Sequence, residues 1–282
     1  MGSIPFYAKR FVAGTTFHEA LPIVKKLNQK NICVTLDVLG ENVKKKSQCE
    51  VFTNEYLELI SKISEEKLNA YVSIKLTMLG LDIDEDFCTL NLKKILGKAD
   101  ALSCRVAFDM EGSNYTEKTL AYYEKMSSIF RSAEIVLQAY LFRTEKDIER
   151  VLNSNGRLRL CKGAYKEPET LAFQKMSEIR ENYKKLVSRL LLNGKRVCIA
   201  SHDDEIINFC KDFINKNHIS KDRYEFQMLY GMREKTWLAI SGSGYNMTVY
   251  VPYGIDWKAY FSRRIVERKE NLFFVLKNFF KS

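Results

Sequence analysis

Proline and histidine are scarce in this chain. It holds four Pro and thirteen Gly in 282 residues, too few for a fibrous or low-complexity polymer. Its three histidines (His18, His202, His218) form no metal-ligand spacing, so no metal is expected. The seven cysteines are odd in number and lack a Cys-x-x-Cys pair, which argues against a secreted disulfide framework and for a reducing, cytoplasmic setting. Most of them lie inside apolar runs, where Cys behaves as a small buried hydrophobe. No apolar stretch approaches the ~18 residues of a spanning helix, and no signal-peptide core opens the chain. Phe6 stands where myristoylation favours Ser or Thr. No Pro/Gly/Ser-rich linker divides the sequence, and no Gly-x-Gly-x-x-Gly turn follows an apolar run, as dinucleotide-binding open sheets usually require.

What the chain does have is charge and alternation. Its formal charge of +10 points to an anionic partner: nucleic acid, lipid or a phosphate-bearing cofactor. Eight short runs rich in β-branched and apolar residues recur at Ile32–Leu39, Ala70–Thr77, Leu102–Met110, Glu134–Leu141, Arg157–Ala164, Arg196–His202, Tyr224–Tyr230 and Met247–Tyr253. Each has the character of a strand buried on both faces. Helical segments lie between them, among them 144–152 and 203–216 with acidic first turns; Thr144 followed by Asp147 reads as a cap with an acidic third position. Eight strands alternating with helices predict an α/β fold of the (β/α)8 TIM-barrel type, as one domain over 1–282 with a short lead-in at 1–15.

Functional side chains of such a barrel project from the C-terminal ends of its strands. Those ends carry Asp37 and Glu41, Lys75, Asp109 and Glu111, Gln138, Arg159 and Lys162, His202, Gln227 and Tyr250. An unpaired buried charge is costly, so this ring predicts either a salt-bridged layer or a ligand site, and its mixed composition favours the site. Near the C-terminus, Tyr260, Arg263, Arg264 and Glu267 share one face of a helix that Asp256 is placed to cap. Paired guanidinium groups form a fork for a carboxylate or phosphate. After a strand, Lys162-Gly163-Ala164 offers close backbone approach beside a cation, and an ordinary left-handed turn explains it equally well.

Together these residues resemble the proline dehydrogenase family, flavin barrels that oxidise L-proline. The likeness runs from about Arg10 to Asn278 through RFVAGTT (10–16), VTLDVLGE (34–41), VSIKLTMLG (72–80), FDMEG (108–112), LQAYLFRT (137–144), RLRLCKGAYKEPE (157–169), ASHDD (200–204), FQMLYGMR (226–233), YVPYG (250–254) and AYFSRRIVE (259–267). The monofunctional bacterial form is the better match, since no length remains for an aldehyde dehydrogenase. The resemblance implies that Lys75, Arg263 and Arg264 bind the proline carboxylate, and that Tyr165, Leu229, Tyr250 and Tyr260 wall its ring. Asp109, Arg159, Lys75 and Tyr250 become the implied catalytic set. FAD is implied at Met110, Gln138, Arg159, Lys162, Gly163, Ala164, Ser201, His202, Gln227 and Glu267, with Glu41 and Arg263 pairing as a gate.

The implied reaction takes a hydride from C5 of proline to N5 of FAD, yields Δ1-pyrroline-5-carboxylate and passes electrons to a membrane quinone. A separate pyrroline-5-carboxylate dehydrogenase follows as the downstream enzyme. Ser201 stands where the family commonly has Thr and Cys161 where it has Val. Relatives usually carry helices before the segment at Arg10, so a trimmed N-terminus is expected, and Met1-Gly2-Ser3 fits an expression scar. Basic groups at Lys44–Lys46 and at Lys195 with Arg196 suggest peripheral contact with anionic lipid on the inner membrane face. Two competing readings are a methylenetetrahydrofolate reductase-like flavin barrel and a basic nucleic-acid binder. The latter lacks a basic stripe interleaved with aromatics, and no nucleic-acid partner is expected.

Overall fold

A computed structural model describes residues 4–6, 8–41, 43–154 and 156–262. Eight parallel strands close into a barrel in chain order: β1 (Cys33–Val38), β2 (Ala70–Ile74), β3 (Val106–Phe108), β4 (Ala133–Gln138), β5 (Arg157–Cys161), β6 (Arg196–Ala200), β7 (Tyr224–Leu229) and β8 (Met247–Tyr253). Closure comes from β8 pairing back onto β1, with Val34 opposite Val249 and Asp37 opposite Pro252. Around the strands lie α1 (Phe17–Asn28), α2 (Lys46–Glu65), α3 (Glu85–Ala101), α4 (Ser113–Ser127), α5 (Thr144–Asn153), α6 (Met176–Asn193), α7 (Asp204–Lys216) and α8 (Glu234–Gly242).

The strand period of two sorts each run into an outer and an inner face. On β2, Val72 and Ile74 are fully buried in the hydrophobic core, each worth roughly 1.5–3 kcal/mol of transfer energy. Tyr71, Ser73 and Lys75 face inward and bond to residues of other strands. The helices show why their segments wind. In α7, Asp203 caps the first turn by accepting from the Glu205 backbone N–H at 3.2 Å, and Ile206, Ile207, Cys210 and Ile214 form the buried stripe. That helix ends where His218 takes φ 51°, a left-handed stop repeated at Asn31, Lys67 and Ser103 before other strands.

Two expectations need correction. The run at Leu102–Met110 contributes a strand only over Val106–Phe108, because Leu102 and Ser103 terminate α3 instead. Thr144 does not cap α5: Arg143 holds that position, and the Thr144 hydroxyl donates to the Gln138 carbonyl at 2.5 Å. Asp147 meanwhile accepts from the Arg143 guanidinium at 2.7 and 2.9 Å.

The lead-in is built into the barrel rim. β8 runs past its last partner on β7, and the chain at 13–14 fills that side: Ala13 N–H donates to the Pro252 carbonyl and Gly254 N–H to that of Gly14, both at 2.9 Å. Proline is tolerated there because β7 has already ended and no ladder needs its missing N–H.

Candidate active site

Inside the barrel the polar side chains divide into two layers. The lower one sits toward the strand N-termini, where Arg105 pairs with Glu134 at 3.1 Å and Glu225 at 3.0 Å, and Arg196 joins Glu225 at 2.5 Å. Its guanidinium groups offset the carboxylates: burial alone would raise the Glu225 carboxyl, but Arg105 and Arg196 outweigh it and hold the group well below the carboxylate range. Arg196 therefore belongs to the barrel floor, partly exposed at its lower rim. Lys44–Lys46 follow β1 at the opposite end, so the two basic groups do not share a face. Lys46 is itself paired with Asp84 at 2.5 Å.

The upper layer gathers residues from five strands. Lys75 at the end of β2 donates to Asp37 of β1 at 2.7 Å and lies 3.9 Å from Asp109, which follows β3. Asp109 accepts three hydrogen bonds: Arg159 of β5 at 2.7 Å, Ser73 of β2 at 2.6 Å and the Tyr250 hydroxyl of β8 at 2.6 Å. Burial would strip the proton from Lys75, but Asp37 and Asp109 outweigh it and raise its pKa, so it stays an ammonium. The same balance holds for Arg159, where Asp109 overcomes desolvation. Burial first, and Asp109 second, push the Tyr250 phenol far above its ordinary value, keeping it a neutral donor.

Above Lys75 opens a cleft of about 250 Å³ lined by Leu39, Gly40, Glu41, Lys75, Asp256, Ala259 and Tyr260. That is below the ~300–1,000 Å³ that takes drug-sized molecules, and suits a smaller one. Tyr260 lies on helical turns at 257–262, directly after Asp256, and is buried. Tyr165 stands close enough to Lys75 to act on its charge.

A second group of atoms waits beside this layer. Arg159 keeps Nε and Nη2 buried without hydrogen-bond partners among the described residues, and so does Gln138 Oε1. Buried polar atoms of native proteins are normally satisfied, so these mark where a polar ligand edge fits. Gly163 has φ 120°, and a Cβ there would fall 2.4 Å from the Tyr140 ring, so only glycine permits this close turn. Lys162 reaches Asp203 at 3.3 Å, a carboxylate also bound by Arg180 at 2.8 Å. Ser201 accepts from Asp203 N–H at 3.1 Å. The donors and acceptors present, with a glycine-sharpened turn, fit a flat heteroaromatic cofactor with polar edges.

Other residues have defined places. Met110 is buried after β3, Leu229 ends β7 half-buried, and Ala164 is exposed on the loop after β5. His202 Nε2 accepts from the Leu229 backbone N–H at 2.9 Å. Gln227 turns its amide N–H groups toward the floor, donating to Tyr71 and Glu225 at 2.6 Å each. Arg263, Arg264 and Glu267 lie outside the described residues, and with Arg263 one half of the expected gate. Reading only strand ends missed Ser73, one turn of the pleat below Lys75; its signal was a hydroxyl alternating inward in an apolar strand.

A sequence-family model described as Proline dehydrogenase matches residues 20–277. Proline dehydrogenase 2 of Bacillus subtilis (strain 168) is 43% identical over 274 residues, covering 97% of this chain and 90% of that protein. Proline dehydrogenase of Deinococcus radiodurans is 36% identical over 279 residues, covering 97% and 90%. Among solved structures, proline utilization A (PutA) from Bdellovibrio bacteriovorus, inactivated by N-propargylglycine, superposes with a TM-score of 0.86 at 26% identity. The match covers 92% of this chain and 32% of that larger one.

Proposed function

The chain belongs to the proline dehydrogenase family, a family of enzymes that oxidise proline in proline catabolism, and from that premise we propose how its own residues do so. The reading rests above all on Lys75: a buried ammonium, kept charged by Asp37 and Asp109, at the base of a small cleft walled by Tyr260. A carboxylate in that cleft meets a cation already oriented, together with Arg263 and Arg264 as the further carboxylate ligands. Tyr165, Leu229, Tyr250 and Tyr260 enclose the pyrrolidine ring of the substrate and keep water out. Holding the ring in one pose is much of what hydride transfer asks of a protein.

FAD, held by Met110, Gln138, Arg159, Lys162, Gly163, Ala164, Ser201, His202, Gln227 and Glu267, supplies the hydride acceptor for C5 of L-proline. Arg159 has the two buried donor atoms to meet an electron-rich ring edge, and Asp109 holds its guanidinium in place. Loss of the hydride from C5 and the proton from nitrogen yields Δ1-pyrroline-5-carboxylate. The substrate binds as the neutral amine, so the floor of the cleft needs no strong base. Glu41 lines the cleft, and it is proposed to form the gate together with Arg263. A membrane quinone is the proposed final acceptor, reached by peripheral contact from the cytoplasmic side. Among the described residues no helix is long and apolar enough to cross a membrane. A separate dehydrogenase consumes the product.

The test is a visible spectrum of the purified protein followed by addition of L-proline. A flavin band that bleaches is the expected result, and Arg264→Ala should raise KM for proline steeply while retaining FAD. A protein without a flavin band that also fails to respond to added FAD overturns the reading. Bleaching by NADH rather than proline would instead favour the folate-reductase alternative.

A further inference from the structure

The lower polar layer contains two groups that reach upward to a proposed cofactor residue. Gln227 Nε2 donates to Glu225 Oε1 and to the Tyr71 hydroxyl, both at 2.6 Å. The Tyr71 hydroxyl spends its one proton on the same Glu225 oxygen at 2.9 Å, so toward Gln227 it only accepts. An ionised carboxylate also only accepts. Both neighbours therefore require the amide nitrogen, and the amide cannot reverse without facing oxygen with oxygen. Glu225 is in turn fastened by Arg105 at 3.0 Å and Arg196 at 2.5 Å, and Arg105 stacks over the Tyr71 ring at 3.7 Å. The side chain of Gln227 is thus left with its carbonyl oxygen as the group it offers elsewhere.

We infer that Glu225, with Tyr71, is a positioning residue for the cofactor: it fixes the Gln227 amide so that an acceptor, not a donor, is presented to the flavin ring. This rests on the proposed FAD reading. An oxidised isoalloxazine carries a single ring N–H, and an acceptor of fixed orientation is the complement to it. The alternative is that the floor cluster only closes the bottom of the barrel, as conserved packing of that face usually does in such folds.

The experiment compares wild-type holoenzyme with Tyr71→Phe, Glu225→Gln and Gln227→Leu by FAD release on dilution, the visible flavin spectrum and the flavin midpoint potential. Tyr71→Phe keeps the ring, the carboxylate and both arginine pairs, so it remains informative if Glu225→Gln does not fold. Expected are a threefold to tenfold weaker hold on FAD in each variant, the size of one hydrogen bond, and an altered potential. The double variant Tyr71→Phe/Gln227→Leu should lose no more than Gln227→Leu alone. Unchanged FAD release and potential in Tyr71→Phe, or fully additive losses in the double variant, overturn the inference. A wild-type protein that binds no flavin fails the underlying reading instead.

Discussion

Asp109 and Arg159 meet at 2.7 Å in the upper layer, with only 5% of the arginine side chain exposed. The carboxylate also receives Tyr250 and Ser73, so one residue neutralises a buried cation and aligns two hydroxyls. Asp109→Ala leaves the guanidinium buried without its counter-charge. A loss of about 3–5 kcal/mol in urea unfolding is expected. Proline oxidation should fall by about a hundredfold or more, because the guanidinium loses its fixed position. Retained activity with normal stability would contradict the arrangement.

Gly163 faces a rigid obstacle. Alanine there places its Cβ 2.4 Å from the Tyr140 ring at a φ of 120°, which L-residues avoid. The turn should cost about 1–3 kcal/mol to hold, and the purified Gly163→Ala protein should carry less flavin per chain than wild type. The absorbance ratio at the flavin and protein bands, with a thermal melt, measures both.

Acid should expose the floor cluster. The folded pKa of Glu225 is depressed, so its contribution is complete above the ordinary glutamate value near ~4.3 and is lost as pH falls toward the folded value. Below about pH 4.3 the wild type should lose roughly 1 kcal/mol per pH unit more than Glu225→Gln, which has no proton to gain. Urea midpoints across an acid series test the slope, and equal slopes would remove Glu225 from the account.

The lead-in has its own weak point. A Cβ on Gly231 would lie 1.9 Å from the Arg10 carbonyl oxygen, at φ 76°. Gly231→Ala must therefore push the segment at 8–14 off the rim. About 1–3 kcal/mol of destabilisation is expected, with faster proteolysis before residue 17. Arg10→Ala loses an exposed side-chain hydrogen bond at 3.3 Å and a loose contact over the Phe11 ring at 5.9 Å, and should stay within about 1 kcal/mol.

Much of this was legible in the residues themselves. Strand positions could be read because parallel barrel strands are buried on both faces, and VSIKL at 72–76 shows it: Val72 and Ile74 outward, Ser73 and Lys75 inward. Lys75, Asp109, Arg159 and Tyr250 were recognisable as one group because polar residues ending apolar strands need partners. Helix limits were less legible. Leu102 and Ser103 look like strand and instead finish α3, since a left-handed stop depends on backbone that composition does not report. Arg196 read as a surface cation, although it reaches into the barrel to Glu225.

The amino-acid order by itself determined the repeating alternation, the family and the inventory of groups able to meet a carboxylate and a flavin, because periodicity and residue chemistry are local properties. Tertiary structure decided which carboxylate holds which cation, why Gln227 presents one end of its amide, and which basic residues turn into the barrel. Those outcomes depend on closing β8 onto β1. Closure brings side chains more than a hundred positions apart, such as Tyr250 and Asp109, within 2.6 Å of each other.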